Sequence, residues 1–315
     1  MEERKKLISV VTACYNEEGN IEQLYLTVKN IFRDLSMYDY EHIFADNDSH
    51  DRSREILRAI AAKDINVKVI FNTRNFGHIR SPLHAMYEAN GDAIISLVAD
   101  FQDPPGMIVE FLKKWEEGNK IVIGIKKKSE ENFLMFSVRK VFYKTLNKFA
   151  DIELIKNFTG FGLYDRSFIE LVKKINDPYP YFRGLIPEFG LQRCDIEYVQ
   201  PKRKEGKSGQ SFITLYDMAM LGFVNYSKIP LRMASFTGFS IAILSFLIAF
   251  GYLIYKLLFW QEFKLGLAPL VIGLFFFSSV QLIFIGIIGE YVGSILTQIQ
   301  QKERPLVIEQ ERINF

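Results

Sequence analysis

Along the first 125 residues, short apolar runs alternate with longer stretches in which every third or fourth position is apolar. Residues 7–13 form a β-branched, apolar run, followed by the polar turn Cys14-Tyr15-Asn16-Glu17-Glu18-Gly19. Ile21, Leu24, Val28, Ile31 and Leu35 then recur at helical spacing, with Asn20 placed as the N-cap. Residues 40–45 predict a second strand, closed by Asp46-Asn47-Asp48-Ser49, and Ile56, Leu57 and Ile60 mark the helix after it. Residues 67–71 predict a third strand, which ends in Asn72-Thr73-Arg74-Asn75-Phe76-Gly77-His78 and leads into another helix. The run 93–99 predicts a buried parallel strand with Asp100 and Gln102 at its carboxyl end. Pro104 and Pro105 are expected to stop it, because proline cannot donate to a ladder. Ile108, Phe111, Leu112 and Trp115 mark the next helix, and 120–125 the next strand. Strand and helix at such short intervals predict βαβ units, a mostly parallel sheet and helices on both faces.

The C-terminal third has a different pattern. No charged residue interrupts 233–255 or 265–289. Each stretch exceeds the roughly 20 residues that cross a bilayer, so a two-helix transmembrane hairpin is expected over 233–289. Lys228 and Arg232 precede the first span, Lys256 and Lys264 lie in the link, and Lys302 and Arg304 follow the second, which leaves the positive-inside rule undecided. The charged start Met1-Glu2-Glu3-Arg4-Lys5-Lys6 is not a signal peptide, so the large domain and both termini are expected in the cytosol. Phe212, Leu215, Met218, Ala219 and Phe223 predict an amphipathic juxtamembrane helix within 211–232, and 290–315 is expected as a tail. Between these parts, 133–149 mixes aromatics with lysine, which suits either an interfacial helix or a basic solvent face over a core stripe. The segment 157–166 is punctuated by glycine. Pro201-Lys202-Arg203-Lys204-Glu205-Gly206-Lys207-Ser208-Gly209 is either a solvated linker or a clamp for phosphates at the membrane surface.

Charge changes this picture little. With 39 Lys and Arg against 37 Asp and Glu, the chain as a whole lacks a nucleic-acid signature. Cys14 and Cys194 make no disulfide framework, which fits a reducing compartment. No glycine-rich dinucleotide fingerprint follows the first strand and no P-loop is present, which points away from NAD and from ATP hydrolysis. The polar clusters all follow strands: Asn16 with Glu17, Asp46 with Asp48, Arg74 with Asn75, Asp100 with Gln102. Carboxyl ends of parallel strands share one edge of a sheet, where ligands bind. Oxygen ligands there suit a hard divalent cation carrying phosphates. The plainer alternative for Asp100 to Pro105 is an acidic loop that caps the next helix.

Several motifs match one family. Val10-Val11-Thr12-Ala13-Cys14-Tyr15-Asn16-Glu17-Glu18 resembles the opening motif of family-2 glycosyltransferases with the GT-A fold. Asp46-Asn47-Asp48-Ser49-His50-Asp51 is similar to their second acidic motif. Asp100-Phe101-Gln102-Asp103-Pro104-Pro105 is similar to the metal motif of the polyprenyl-phosphate branch. Arg74-Asn75-Phe76-Gly77-His78 and the paired C-terminal spans narrow the resemblance to bacterial undecaprenyl-phosphate glycosyltransferases, relatives of dolichol-phosphate mannose synthase.

That resemblance implies an α/β, Rossmann-like GT-A domain over 1–210, with a nucleotide-binding half (1–125) and an acceptor-side half (126–210). It implies Ala13, Tyr15, Asn16, Glu17, Asp46, Asp48, Arg74 and Asn75 around the nucleotide, and Asp100 with Gln102 holding Mg2+ or Mn2+. Arg203, Lys204, Lys207 and Ser208 are implied at the acceptor phosphate, with Asp100, Arg203 and Lys207 as the catalytic set. The implied partners are a UDP-sugar, a polyprenyl phosphate, the bilayer of the bacterial inner membrane and further copies of the chain. The family's opening motif often has proline where Ala13 stands, its acidic triplet begins with Asp where Val98 stands, and many relatives have Asp at Gly160. A lipid phosphate, with a second pKa near ~6, is largely a dianion at neutral pH and needs no base to attack. Two other functions are weighed against transfer to a lipid phosphate. A processive polysaccharide synthase would carry a Gln-x-x-Arg-Trp motif, which neither Trp115 nor Trp260 completes. A scaffold or nucleotide-sugar sensor that kept the fold is favoured by Val98 and Gly160.

Overall fold

The computed structural model describes residues 4–127, 155–175, 177, 180, 182–201, 229–259, 267–301 and 305–315. Its strands are β1 (Lys6–Cys14), β2 (Tyr38–Asp46), β3 (Val67–Asn72), β4 (Ala93–Ser96), β5 (Ile121–Lys126), β6 (Gly162–Asp165), β7 (Arg193–Tyr198) and β8 (Glu309–Ile313). Its helices are α1 (Ile21–Asp34), α2 (Ser53–Ala61), α3 (Gly77–Glu88), α4 (Met107–Glu116), α5 (Arg166–Ile175), α6 (Phe182–Phe189), α7 (Ile229–Leu258) and α8 (Leu267–Gln301). One sheet runs in the order β7-β5-β6-β4-β1-β2-β3-β8. The pairs among β4, β1, β2 and β3 are parallel, as is β5 with β7, whereas β6 and β8 run antiparallel to their neighbours.

Successive side chains of a strand leave on opposite faces. Ile43 and Ile94 therefore enter one core, and Phe44 and Ile95 the other. Leu24, Val28, Leu57, Ile108 and Phe111 from α1, α2 and α4 cover the Phe44 side. Leu83, Met86, Phe168, Ile169 and Leu185 from α3, α5 and α6 cover the Ile43 side. Because both faces are covered, the strands read as continuous apolar runs, as the sequence has them.

Four expectations need correction. The strand before Asp100 ends at Ser96, well short of the prolines. Its ladder stops because β6 enters the sheet only at Gly162, opposite Ser96, after Gly160 turns the chain at φ +100°. Asn20 stands at the N-cap of α1, yet its side chain makes no capping bond; its Nδ2 donates to Glu17 Oε2 at 2.7 Å instead. Helix α8 runs past 289 to Gln301. The expected tail returns to the sheet: β8 pairs antiparallel with β3, from Val69 opposite Ile313 to Asn72 opposite Glu309, and covers an edge that would otherwise template foreign strands.

Leu231–Ile248 and Gly273–Gly293 are long and apolar enough, by length and composition, to cross a membrane. Their large apolar side chains face outward, with Phe236 74% and Phe239 72% exposed. The lysine-aromatic stretch 133–149, the basic stretch 202–209 and the juxtamembrane segment up to residue 228 lie outside the described residues.

Candidate active site

The loops after β1, β2 and β3 bond to one another on the carboxyl edge of the sheet, and the turn after β4 leaves from the same edge. Five non-glycine residues among those described have positive φ, and three sit here: Asn16 (56°), Asp48 (69°) and Phe101 (59°). Such backbone costs of order 1–3 kcal/mol per residue and persists only where surroundings enforce it, which marks working turns. The enforcing bonds run between loops. Asn16 N donates to Ser49 Oγ at 2.9 Å, Glu17 N to Ser53 Oγ at 2.9 Å, and His50 N to Asn16 Oδ1 at 2.8 Å. Asn47 ties the next loop in, accepting from Phe76 N at 2.9 Å and donating to Asn75 Oδ1 at 2.8 Å.

Asp46 ends β2 and is 0% exposed. Its Oδ2 accepts from Ser49 N at 3.2 Å and lies 3.1 Å from Arg54 Nε, whose N–H is not aimed along that line. Its Oδ1 has no hydrogen-bond partner. Burial pushes the Asp46 carboxyl above its ordinary range, against the pull of Ser49 and Arg54. Asp48 lies 3.6 Å from Arg54 Nη1 and 4.0 Å from His50 Nε2. Tyr15 is exposed and meets the His50 ring edge-on at 6.4 Å, so both rings stand over the acidic turn.

Ala13, partly buried, pairs with Ala45 just below this turn. Arg74 reaches solvent, donating to Asn75 O at 3.2 Å and lying over the Phe76 ring at 4.1 Å. It does not join the Asp46–Asp48 pair through any of these contacts. Asp100 is buried in the turn after β4, and its Oδ1 accepts from Gln102 N at 3.1 Å. Asp103 lies beneath, accepting from Tyr198 Oη on β7 at 3.0 Å, and burial pushes it up to about 6. Val98 is 41% exposed beside this turn. Arg203, Lys204, Lys207 and Ser208 lie outside the described residues.

The Asp100 and Gln102 oxygens suit a hard cation that keeps water and phosphate oxygens for its remaining positions. Among the described residues, no three His, Cys, Asp or Glu side chains gather into a self-sufficient metal cage.

Sequence reading missed Arg54, Asn47 and the Asp103–Tyr198 pair. Asp103 and Asn47 were visible inside the two acidic motifs. Arg54 carried its own signal: it is the second residue of α2, where a cation opposes the helix dipole, so some nearby anion had to hold it.

Fold and edge together define an α/β protein of the GT-A kind. Residues 9–172 match the family described as glycosyl transferase family 2, and the chain belongs to that family. It is 34% identical to an uncharacterized glycosyltransferase, YkcC, of Bacillus subtilis over 96% of this chain and 93% of that one. It is 30% identical to the bactoprenol glucosyl transferase of Shigella phage SfII over 98% and 99% of the two chains. Among solved structures, glucosyl-3-phosphoglycerate synthase from Mycobacterium tuberculosis, in complex with Mn2+, UDP and phosphoglyceric acid, is 17% identical, covering 70% of this chain and 76% of that one at a TM-score of 0.45.

Proposed function

We propose that this chain moves a sugar from a UDP-sugar onto undecaprenyl phosphate, inverting the anomeric carbon, at the cytosolic face of the bacterial inner membrane. The observation that carries this reading is the acidic carboxyl edge, with Asp46 and Asp48 at the end of β2 and Asp100 after β4, the two strands that flank β1, in a chain similar along its length to a bactoprenol glucosyl transferase. Asp46 Oδ1, buried and unpartnered, is an acceptor suited to an N–H of the nucleotide base. Tyr15 and Asn16 follow Cys14, which pairs with Asp46 across β1 and β2. Asp100 and Gln102 are the residues to hold Mg2+ or Mn2+, which when bound would draw charge from the departing diphosphate.

The acceptor phosphate attacks the sugar directly, so no side chain has to take a proton from it. What the protein must offset is the approach of two anions in a partly dry site. Arg203, Lys204 and Lys207, with Ser208 as a hydrogen-bond donor, are the proposed residues for that task, and arginine does it with paired hydrogen bonds. Two spans return a chain to the side it left. The pairing of β8 with β3 supports this reading, since α7 and α8 lie between them in the chain. On this reading the catalytic domain and C-terminus share one side, which we take as the cytosol, and the chain is proposed to work as a homo-oligomer.

A second reading, a nucleotide-sugar binder without turnover, draws on the exposed Val98 and on Gly160, whose φ of +100° strains any other side chain there. One experiment separates them: radiolabelled nucleotide sugars are offered with undecaprenyl phosphate and Mg2+ or Mn2+, and label is counted in the organic phase. Metal-dependent transfer of one sugar supports the enzyme. UDP-sugar binding with no transfer from any donor overturns it in favour of the binder.

A further inference from the structure

Arg54 connects two parts of the chain that the expected site did not join. Its Nη2 donates to Gln310 Oε1 on β8 at 2.8 Å and to Asn72 O at 3.3 Å. Its other nitrogens face Asp46 and Asp48 at 3.1 and 3.6 Å. The guanidinium also lies over the Phe71 ring at 5.2 Å. One planar cation thus meets two carboxylates, a carbonyl, a side-chain amide and an aromatic face. Lysine, a single point charge, has no equivalent geometry.

The strand that supplies Gln310 is held firmly. Thr73 N donates to Ile308 O at 2.9 Å and Arg80 Nη2 to Pro305 O at 2.7 Å. Arg58 pairs with Glu311 at 2.6 Å, Arg312 with Glu88 at 2.6 Å, and His84 with Glu309. Asn314 Nδ2 closes the strand, donating to Ala61 O and Val67 O at 2.8 Å. These bonds fix the backbone. Gln310 itself is exposed, and its side-chain oxygen accepts from Arg54.

Two carboxylates at the rim of a pocket for a nucleoside diphosphate repel the ligand unless a cation offsets them. Arg54 does so while leaving Asp46 Oδ1 open. It stands in the first turn of α2, against the helix dipole, so its position depends on the acceptors around it. We propose that β8 is the outer wall of the donor site, and that Gln310 is a positioning residue which holds Arg54 against Asp46 and Asp48 and so sets affinity for the nucleoside diphosphate. This rests on the reading that Asp46 lines the donor pocket.

The experiment is a double-mutant cycle on the full chain in detergent, with UDP affinity measured by calorimetry and thermal midpoint measured in parallel. Arg54→Ala should weaken UDP about tenfold and Gln310→Ala about fivefold, the range for the net contribution of a typical hydrogen bond. In the Arg54→Ala background, Gln310→Ala should change UDP affinity no further. Gln310→Glu, which keeps an acceptor, should restore wild-type affinity, and Arg54→Lys only part of it. A Gln310→Ala protein with a lowered midpoint and unchanged UDP affinity would mean that β8 only covers an edge, and the inference fails. It fails also if Gln310→Ala costs as much affinity without Arg54 as with it. Asp46→Ala is the control: expected to weaken UDP about tenfold, as loss of a charged hydrogen-bond acceptor does. Unchanged affinity there removes the donor-pocket reading itself and this inference with it.

Discussion

Two buried polar clusters sit on the same sheet and are built differently. Toward the amino ends of the strands, Glu41 accepts from Ser9 Oγ at 2.6 Å and Asn90 N at 2.7 Å and pairs with Lys68 at 2.7 Å, while Gly91 N donates to Ser9 Oγ at 2.8 Å. Burial pushes the Glu41 carboxyl up, but Lys68, Ser9 and Asn90 together outweigh burial and hold it below its ordinary range. At the carboxyl ends, Asp46 keeps an unpartnered oxygen, its pKa is raised, and the backbone around it takes positive φ at Asn16, Asp48 and Phe101. The first cluster has closed its hydrogen bonds within the protein and gains nothing from a ligand. The second holds desolvated oxygen and strain that only an added partner relieves. Buried acid alone does not mark a site; an open acceptor beside backbone held at positive φ does.

The comparison breaks most readily at Asp100. Asp100→Asn keeps the turn's shape, since an amide oxygen still accepts from Gln102 N, but removes the charge proposed to meet the metal. Transfer should fall by about a hundredfold or more, the scale of losing one preorganised electrostatic contact in a transition state. The thermal midpoint should stay put. Turnover near wild type would leave the open edge without its most important member.

How legible this was in the sequence follows from the same contrast. The strands β1 to β5 and their helices announce themselves because period and burial agree: Ile21, Leu24 and Val28 are fully buried on α1, and Ile108, Phe111 and Leu112 on α4. The acidic turns were readable because each ends an apolar run. β8 was not, because Glu309-Gln310-Glu311-Arg312 is almost wholly charged or polar and becomes a strand only through its partners on β3 and α2. β6 was hidden in a segment whose only clear signal was its glycines. The shortness of β4 was equally invisible, since residues 97–99 remain apolar after the ladder ends. Long-range pairing, not local propensity, decided all three.

Glu41→Ala tests the closed cluster. It leaves the Lys68 ammonium without its carboxylate and Ser9 and Asn90 without their acceptor. Stability should drop by about 3 kcal/mol, as when one partner of a mostly buried pair is removed. Donor affinity of the folded fraction should not change. A Glu41→Ala protein with native stability and weakened UDP binding would reverse the roles assigned to the two ends of the sheet.

His42 gives the smallest and sharpest test, because it lies in the closed region yet has an open nitrogen. It is fully buried in β2, its Nε2 is 3.1 Å from Thr12 Oγ1, its ring lies 4.0 Å from the Phe44 ring, and its Nδ1 has no partner. Burial pushes its pKa from 6.5 down to about 3. Between those values the unfolded chain binds a proton and the folded chain does not. The stability His42 contributes is therefore full above pH 6.5 and lost as pH falls toward 3. Going from pH 7 to 5.5 should cost about 1 kcal/mol from this residue, read as a lower denaturation midpoint by Trp115 fluorescence. His42→Phe should flatten that stretch of the pH profile. It should leave the pH dependence of UDP affinity untouched, because His42 is fully buried, packs on the Phe44 ring and stands four residues before Asp46 on β2. If His42→Phe altered UDP affinity across pH 5.5–7 while stability kept its slope, an unpartnered buried atom would not distinguish site from core, and the contrast drawn from Asp46 would need the backbone strain at Asn16 and Asp48 to stand on.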